Sequence, residues 1–397
     1  MLTLDKVYHA AFVLKEAIRA TDMIAARNIK SGVDLFLKTE NLQVTGSFKV
    51  RGAYYKISQL SDEEKQRGVI ACSAGNHAQG VALAATHNGI KSLICLPDVA
   101  PISKVEATKR LGAEICLVKG VYDDAYNKAL ELKDKYGYTF IHPFDDDDVI
   151  AGQGTIGLEI LDQLPDVDAV VVPIGGGGLI SGVAFAIKQL RPQCKVYGVQ
   201  ASGAPSMLNS VHDHKIERLD SVSTIADGIA VKEPGEHTFD YCSKYVDEIV
   251  SVTDDEISAA ILALIEQHNL VTEGAGAVSV AAVMFDKLPV KGKKVCCLLS
   301  GGNIDVNILS RVIERGLLMS GRSALITVEL LDKPGQLRDV SSTIAEQGGN
   351  VVSVHYERAN EGSDINGCFL RIQIETRNHD HIAQIRKALA DKGFKLV

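Results

Sequence analysis

The chain has 397 residues, 46% of them hydrophobic and 23% charged, and carries a net charge of −8 at pH 7. This length predicts two or three domains with well-buried cores, and the negative charge argues against nucleic acids and anionic membranes as partners. No apolar run approaches the ~18 residues of a membrane-spanning helix, and the N-terminus lacks a basic region followed by an apolar one, so we expect neither a membrane anchor nor a signal peptide.

The first half of the chain alternates between predicted strands and helices. A helix is predicted over residues 4–18, with apolar residues on one face. Strands are then predicted at 33–40, 68–72, 91–96, 114–118 and 138–142, and helices at 76–88, 103–111 and 122–136. A capping box, Ser61 with Glu64, starts one further helix before residue 68. This order predicts a parallel sheet with helices on both faces.

The alternation resumes beyond residue 150. A helix is predicted at 152–164, strands at 169–174, 195–200 and 294–299, and a second capping box, Thr253 with Glu256, opens another helix. The eight cysteines show no spacing typical of zinc sites and lie mostly in apolar, strand-like runs. Because cysteine in such runs behaves as a small hydrophobic residue, we expect a reducing, cytoplasmic location.

Four motifs lie where a strand or its following loop leads on towards a helix: 45–52 with Lys49, 73–77 with Asn76, 175–179 with four glycines, and 300–303 with Ser300. In a parallel sheet such loops gather at the carboxyl ends of the strands. Taken singly, Lys49 is typical of a solvated lysine and the glycine run of any nucleotide binder. Together, a lysine, an asparagine, a glycine-rich phosphate loop and a serine suit pyridoxal phosphate.

The segments SFKVRG, SAGNHAQG, GGGGL and LLSGGN, in this order, resemble the threonine dehydratases (threonine ammonia-lyases). These are fold type II, or tryptophan-synthase-β-like, pyridoxal phosphate enzymes. The resemblance covers roughly the first 320 residues. It implies a catalytic region over residues 1–321, built from two parallel-sheet domains with the cofactor between them. The smaller domain, about residues 50–150, is inserted into the larger.

The resemblance also implies roles for the motif residues. Lys49 would form the Schiff base with the cofactor and then act as general base, Asn76 would bind the ring's 3-oxygen, and Ser300 would face an unprotonated ring nitrogen. The other expected cofactor-binding residues are Phe48, Gly175, Gly176, Gly177, Gly178 and Leu179, of which the glycines let the backbone approach the phosphate.

The substrate carboxylate is expected at the start of the helix that follows the second motif. The expected substrate-binding residues are Ser73, Ala74, Gly75 and His77. Serine racemases of this family carry a serine at the position of Ala74, where it acts as an acid on the opposite face of the cofactor. Alanine cannot transfer a proton, so the sequence favours elimination over racemisation.

No metal site is expected. The run Asp145–Asp148 invites a metal interpretation, but such runs are more often solvated loops. The racemases hold a divalent cation with acidic residues at positions that correspond here to Gln200, Ala204 and Ser206, none of which is charged. A monovalent ion held by carbonyl groups stays open.

Residues 323–397 form a separate βαββαβ pattern, typical of a ferredoxin-like module. With its DKPGQL turn the module resembles an ACT domain, a unit that senses amino acids. The resemblance implies an effector site at Asp332, Pro334, Gly335, Gln336 and Leu337, with isoleucine or valine as the expected effector. The alternative is a module that only stabilises the protein or a dimer, and a homo-oligomer, dimer or tetramer, is expected in either case.

The sequence therefore predicts a lyase that converts the small amino acid L-threonine to 2-oxobutanoate and ammonia by β-elimination of water, and L-serine to pyruvate. A serine dehydratase, a racemase-like enzyme or a threonine-synthase-like enzyme of the same fold remains an alternative. So does an amino-acid-sensing protein whose catalytic part is inactive, although the intact Lys49, Asn76, glycine run and Ser300 argue against it.

Overall fold

The computed structural model describes residues 1–358 and 367–397, and these divide into two compact units, Met1–Asp305 and Val306–Val397. The helices of the first unit are α1 (Leu4–Leu14), α2 (Lys49–Ser58), α3 (Asp62–Arg67), α4 (Asn76–His87), α5 (Ile102–Arg110), α6 (Tyr122–Tyr136), α7 (Asp147–Gln163), α8 (Gly178–Leu190), α9 (Ser206–His212), α10 (Glu236–Tyr245), α11 (Asp254–His268) and α12 (Gly274–Met284). Its strands are β1 (Met23–Ala25), β2 (Asp34–Lys38), β3 (Val69–Cys72), β4 (Ser92–Pro97), β5 (Glu114–Val118), β6 (Thr139–Phe140), β7 (Ala169–Pro173), β8 (Lys195–Ala201), β9 (Glu248–Val252) and β10 (Lys294–Leu298).

The larger sheet of the first unit has six strands in the order β1-β2-β10-β7-β8-β9. All neighbouring pairs are parallel except β1 with β2, which are antiparallel. Every residue of the central strand β7 is buried, because helices cover both faces of the sheet. The continuous apolar run at this position in the sequence has the same cause.

The smaller sheet has four strands in the order β5-β4-β3-β6, all parallel. Its residues lie between Val69 and Phe140. An alanine-rich helix, α4, packs on it together with α2, and residues such as Val81, Ala85 and Ile94 share one buried cluster. Two parallel sheets with flanking helices confirm the predicted α/β fold.

Several element boundaries differ from the prediction. Helix α1 ends at Leu14 rather than at residue 18, and the strand predicted at 138–142 is reduced to Thr139–Phe140. Helix α7 begins at Asp147 rather than at residue 152, because the Asp146 side chain caps it by accepting hydrogen bonds from the amides of Asp148 (2.8 Å) and Val149 (3.1 Å). Of the run Asp145–Asp148, expected to be a solvated loop, the first two residues precede the helix and the last two form its first turn. Both predicted capping boxes, at Ser61 and Thr253, are present.

The second unit contains α13 (Val306–Met319), β11 (Ser323–Leu331), α14 (Gln336–Glu346), β12 (Asn350–Glu357), β13 (Gly367–Glu375), α15 (His379–Asp391) and β14 (Lys395–Leu396). Its antiparallel sheet has the order β12-β13-β11-β14, which is the order of a ferredoxin-like βαββαβ fold. Alternate residues of β11, such as Ile326 and Val328, pack with Val340 of α14 and Ile385 of α15. The predicted βαββαβ module is confirmed.

Within the described residues, no helix is both long and apolar enough to cross a membrane.

Candidate active site

The loop that carries Lys49 is fastened to the loop that follows β10. The Phe48 amide donates a hydrogen bond to the Ser300 carbonyl (3.1 Å), and the Gly302 amide donates to the Gly46 carbonyl (2.8 Å). Gly46 has a φ of +71°, and a Cβ at this position would lie 2.5 Å from Oδ1 of Asn303. Only glycine meets both demands. Two of the predicted motifs, 45–52 and 300–303, thus lie side by side.

Lys49 is the first residue of α2, and its side chain is half-buried. Its Nζ donates to the Pro143 carbonyl (2.8 Å) and lies 5.3 Å from the centre of the Phe48 ring. Burial lowers the pKa of Lys49 to about 8, and the carboxyl of Glu273 opposes this shift. At pH 7 about a tenth of such amines are neutral, which is the form that attacks an aldehyde or accepts a proton.

A buried ion network holds α2 in place. The Arg51 guanidinium, fully buried, binds Glu40 of the preceding segment (2.8 Å) and Glu159 of α7 (2.6 Å). Burial alone would lower the pKa of Arg51, but these carboxylates raise it above its ordinary value. The arginine therefore stays charged and fixes the helix that begins with Lys49.

A chain of three side chains runs beside the lysine loop. Asn303 donates from Nδ2 to the Thr45 carbonyl and to Oδ1 of Asn76, each at 2.8 Å. The Asn76 carboxamide in turn donates from Nδ2 to Oε1 of Glu273 (2.7 Å). Its second N–H is left over by these contacts. Asn76, Asn303 and Glu273 come from three separate segments, so the chain of side chains ties the second motif to the first and the fourth.

Glu273 is a buried carboxyl group in this chain. Burial raises its pKa to about 7, against the effect of the Asn76 hydrogen bond. No role was predicted for this residue from the sequence. The one local hint is its place directly before α12, a helix that begins with small residues.

The glycine run forms a cradle of free amides. Among the described residues, the amides of Gly175, Gly176, Gly177 and Gly178 donate to no other group. Gly177 has a φ of +97° and turns the chain into the 13-residue helix α8, whose N-terminus attracts anions. A Cβ on Gly176 would lie 2.5 Å from the Phe144 ring.

These features fit the phosphate of pyridoxal phosphate. Free amides at a helix N-terminus supply the donors that a phosphate needs, and the amine of Lys49 supplies the nucleophile for its aldehyde. Ser300 is buried and donates from Oγ to the Ala275 carbonyl (3.3 Å). Its hydroxyl is neutral, so it brings no charge to a ring nitrogen.

The start of α4 offers a second set of free amides. Oγ of Ser73 accepts from the Gly75 amide (3.1 Å), and in the described part of the chain the amides of Ala74, Asn76 and His77 have no acceptor. The buried His77 ring donates from Nε2 to the Ile141 carbonyl (2.8 Å). Burial lowers the pKa of His77 to about 3, so the ring is neutral. A carboxylate suits the amides of this 12-residue helix.

The segment His142-Pro143-Phe144 contacts both Lys49 and the glycine run. Pro143 accepts from Lys49, and Phe144 packs on the glycine run. His142 lies edge-on to Phe144, with ring centroids 4.7 Å apart. His142 is predicted from the sequence to end a strand, with no role assigned to it. Its position at the carboxyl end of a parallel strand was the signal that could have found it.

The polar side chains at the candidate cation positions make hydrogen bonds or ion pairs within the protein. Oε1 of Gln200 accepts from the Leu208 amide (2.8 Å), and Oγ of Ser206 donates to the Val231 carbonyl (2.8 Å). In the aspartate run, Asp147 binds the N-terminal amine (2.6 Å) and Asp148 binds Lys6 (2.7 Å). The described residues contain no group of three or more His, Cys, Asp or Glu side chains that could hold a metal ion.

The predicted effector residues lie in the second unit. Gly335 has a φ of +96° and precedes the 11-residue helix α14, while Asp332 accepts from the Tyr356 hydroxyl (3.2 Å). A Cβ on Gly335 would meet nothing closer than the Arg338 side chain at 3.6 Å, so the turn is open on that side.

Comparison with known proteins gives the same family. The family model described as "Pyridoxal-phosphate dependent enzyme" matches residues 14–301. An L-threonine ammonia-lyase of Thermotoga maritima is 50% identical over 398 residues, which cover 100% of this chain and 99% of the relative. The similarity therefore extends over both units.

Solved structures agree. The processed form of threonine deaminase isoform 2 from Solanum lycopersicum matches with a TM-score of 0.75 and 40% identity, over 79% of this chain and 89% of that one. Maize serine racemase matches with a TM-score of 0.75 and 34% identity, over 80% of this chain and 98% of that one. The family and cofactor predicted from the four motifs are confirmed: the chain belongs to the pyridoxal-phosphate dependent enzymes and, among them, to the L-threonine ammonia-lyase family.

Proposed function

We propose that this protein deaminates L-threonine to 2-oxobutanoate and ammonia by β-elimination of water, and L-serine to pyruvate by the same route. The observation that carries the proposal is the Lys49 amine, with its lowered pKa, in a cleft where the free amides of α8 suit a phosphate and those of α4 suit a carboxylate. The 50% sequence identity to an L-threonine ammonia-lyase, which covers the whole chain, supports the proposal.

Bound pyridoxal phosphate supplies the electron sink for the electron pair left on Cα. The residues of the chain do the rest. The amides at the start of α8 would hold the phosphate, and Phe48, Leu179 and Ser300 would line the ring. Asn76, whose Oδ1 and one N–H are occupied by Asn303 and Glu273, has a second N–H that would bind the ring's 3-oxygen.

Lys49 removes the Cα proton. Its amine must be neutral to do so, and desolvation in the cleft is what makes a neutral lysine accessible near pH 7. The amides of Ala74, Asn76 and His77 fix the substrate carboxylate, which orients the Cα–H bond. The Cβ–O bond then breaks, and the product tautomerises and hydrolyses to the 2-oxo acid and ammonia.

Ala74 favours elimination over racemisation. It is half-buried at the start of α4 and has no proton to give. A racemase must deliver a proton to the face of Cα opposite the base. The similarity to maize serine racemase therefore supports the shared fold rather than the racemase reaction.

The direct experiment is an assay of 2-oxo acid production by the yellow, cofactor-loaded protein. We expect 2-oxobutanoate from L-threonine and pyruvate from L-serine, with release of one ammonia per 2-oxo acid. The enantiomer of unreacted serine is measured in parallel. A protein that makes neither 2-oxo acid, or that mainly interconverts the serine enantiomers, would contradict the proposal.

We also propose that residues 1–321, with a smaller domain at about 50–150, form the catalytic region and that residues 323–397 form a regulatory module. In the described residues the amides of Leu337 and Arg338 have no acceptor, and together with the open turn at Gly335 they support an amino-acid carboxylate there, with isoleucine or valine as the proposed effector. A homo-oligomer, dimer or tetramer, in the cytoplasm completes the proposal. The unpaired cysteines, seven of the eight buried, suit a reducing compartment.

A further inference from the structure

The tautomer of His142 is fixed by its own loop. Nδ1 accepts hydrogen bonds from the amides of Asp145 (2.7 Å) and Phe144 (3.3 Å). A ring nitrogen that accepts two N–H groups carries no proton, so the single proton of the neutral ring is on Nε2. Burial lowers the pKa of His142 to about 4, which agrees with a neutral ring. His142 is therefore a hydrogen-bond donor of fixed orientation.

The donor has nothing to bind within the protein. In the described residues Nε2 of His142 has no hydrogen-bond partner, and the side chain is only half-buried. The nearby His77 differs, because its Nε2–H is used by the Ile141 carbonyl. Of the two imidazoles close to Lys49, only His142 keeps its Nε2 proton available to a ligand.

The position of His142 restricts that ligand to the active site. The next residue, Pro143, accepts from the Lys49 amine at 2.8 Å, and the residue after it, Phe144, packs against Gly176 and Gly178 of the phosphate cradle. The His142 ring is edge-on to Phe144, at an interplanar angle of 83°. The imidazole thus belongs to a segment that contacts both the Lys49 base and the phosphate loop.

The substrate has one polar group without a partner so far. Its amine would be held by the cofactor, and its carboxylate suits the free amides at the start of α4. The β-hydroxyl remains. A single neutral N–H is a suitable donor to a hydroxyl oxygen, and it orients the Cβ–O bond for cleavage.

We infer that His142 binds the β-hydroxyl of the substrate through Nε2–H and so selects β-hydroxy amino acids. This inference deepens the proposed function and rests on it. His142 keeps its proton throughout. The Cα proton passes to Lys49, and the oxygen leaves with the electron pair of the Cβ–O bond. The Lys49 ammonium then gives this proton to the departing hydroxide, which becomes water, and the lysine returns to its neutral form.

Two matched variants separate the donor from the loop contact. His142→Asn places a carboxamide oxygen near the position of Nδ1, which keeps an acceptor for the Phe144 and Asp145 amides but removes the distant N–H. His142→Gln carries its N–H farther, towards the position of Nε2. β-Chloro-L-alanine serves as the comparison substrate, because its chloride leaves without a hydroxyl contact.

We expect His142→Asn to lower kcat/KM for L-threonine roughly tenfold, the effect of one lost hydrogen bond, and to change kcat/KM for β-chloro-L-alanine less than about twofold. His142→Gln should lie between the wild type and His142→Asn. Binding of pyridoxal phosphate, followed by fluorescence, and of L-2-aminobutyrate, followed by the visible spectrum, should be unchanged, because neither involves the hydroxyl.

Equal losses on both substrates would overturn the inference and make His142 a residue of the loop alone. Weaker binding of L-2-aminobutyrate would overturn it in favour of a carboxylate contact. Failure of the proposed function is a separate result, seen as a wild type that makes no 2-oxo acid from threonine or serine. In that case the variants can still be compared with the wild type on β-chloro-L-alanine and L-2-aminobutyrate. Unchanged binding of L-2-aminobutyrate alone would not support the inference.

Discussion

Nδ2 of Asn76 lies 2.7 Å from Oε1 of Glu273, and this pair brings a carboxyl group of raised pKa to the same cleft as the Lys49 amine. The Glu273 carboxylate raises the pKa of Lys49, while burial lowers it to about 8. Removing the charge should therefore lower the pKa of Lys49 further.

Glu273→Gln tests this coupling in the cofactor-free protein. The rate at which Lys49 captures added pyridoxal phosphate should rise with pH around a midpoint near 8 in the wild type and around a lower midpoint in the variant. Glu131→Gln, which removes an exposed carboxylate on α6, is the matched control and should leave the midpoint unchanged. An unchanged midpoint in Glu273→Gln would show that its carboxylate does not act on the amine.

Lys49→Ala should abolish turnover. The same amine captures the cofactor and removes the Cα proton, so the loss of kcat/KM should exceed the ~10²–10⁴-fold effect of removing an acid–base group alone. Pyridoxal phosphate should still bind weakly through the amides of Gly175 to Gly178. Dialysis followed by absorbance measures the retained cofactor, with Lys65→Ala on the exposed helix α3 as control. More than a few per cent of wild-type activity would contradict the role of Lys49.

Much of the fold could be predicted because local patterns of apolar and capping residues specify its strands and helices. The buried strands β7 and β10 read as continuous apolar runs, and the capping boxes at Ser61 and Thr253 mark helix starts through residues three positions apart. Strand β1 has three half-exposed or exposed residues, Met23–Ala25, and no such pattern. It exists because β2 offers an edge to pair with, which is a tertiary effect.

The site residues also divide into those that local sequence patterns predict and those that depend on tertiary contacts. Lys49, the glycine run and Ser300 lie at strand-to-helix junctions, so their convergence at one edge of the sheet follows from topology. Glu273 does not, since its contact with Asn76 joins residues 197 positions apart and depends on the packing of two loops. The role of His142 is hidden for another reason. A histidine after a strand gives no sign of which ring nitrogen its own loop will occupy.

Ala74→Ser should add racemisation without ending elimination. The hydroxyl would stand at the start of α4, where a proton can reach the face of Cα opposite Lys49, while the amides that bind the carboxylate remain. Incubation with L-serine followed by chiral chromatography should reveal D-serine with the variant and little with the wild type, with pyruvate formed by both. Ala78→Ser, one turn further along α4, is a control that should form no D-serine. Absence of D-serine in both variants would place residue 74 outside proton-transfer reach.

Arg51→Met should destabilise the first unit. Glu40, fully buried, would lose its main partner, and an uncompensated buried charge costs about 3–5 kcal/mol. Burial would raise the pKa of Glu40, but Arg51 holds it below its usual value. The pair therefore stabilises the fold at pH values above the ordinary pKa of a glutamate, and this contribution is lost as the pH falls through the lowered pKa.

Chemical denaturation at pH 7 and at acid pH measures both effects. The difference between wild type and Arg51→Met should be large at pH 7 and should shrink in acid, where Glu40 becomes protonated. The double variant Arg51→Met with Glu40→Gln removes the buried charge as well, so it should lose less stability than the single variants together predict. A constant difference at all pH values would exclude the ion pair as its source.

The last prediction concerns the start of α14. An amino-acid effector bound there should change the affinity for threonine by a coupling free energy in the ~1–3 kcal/mol range usual for allostery. Gly335 is a poor position for a test substitution, because its φ of +96° would strain any side chain. Leu337→Asp is better, since an aspartate in the first turn suits the helix but repels an incoming carboxylate.

Titration with isoleucine, valine and leucine should show a response in the wild type and in the control Gln384→Asp on the exposed side of α15. It should show a reduced response in Leu337→Asp, with turnover in the absence of effector unchanged. Equal responses in all three proteins would place amino-acid sensing elsewhere and leave the module with a structural role. A negative charge beside a carboxylate site at the start of α14 would have to weaken binding there.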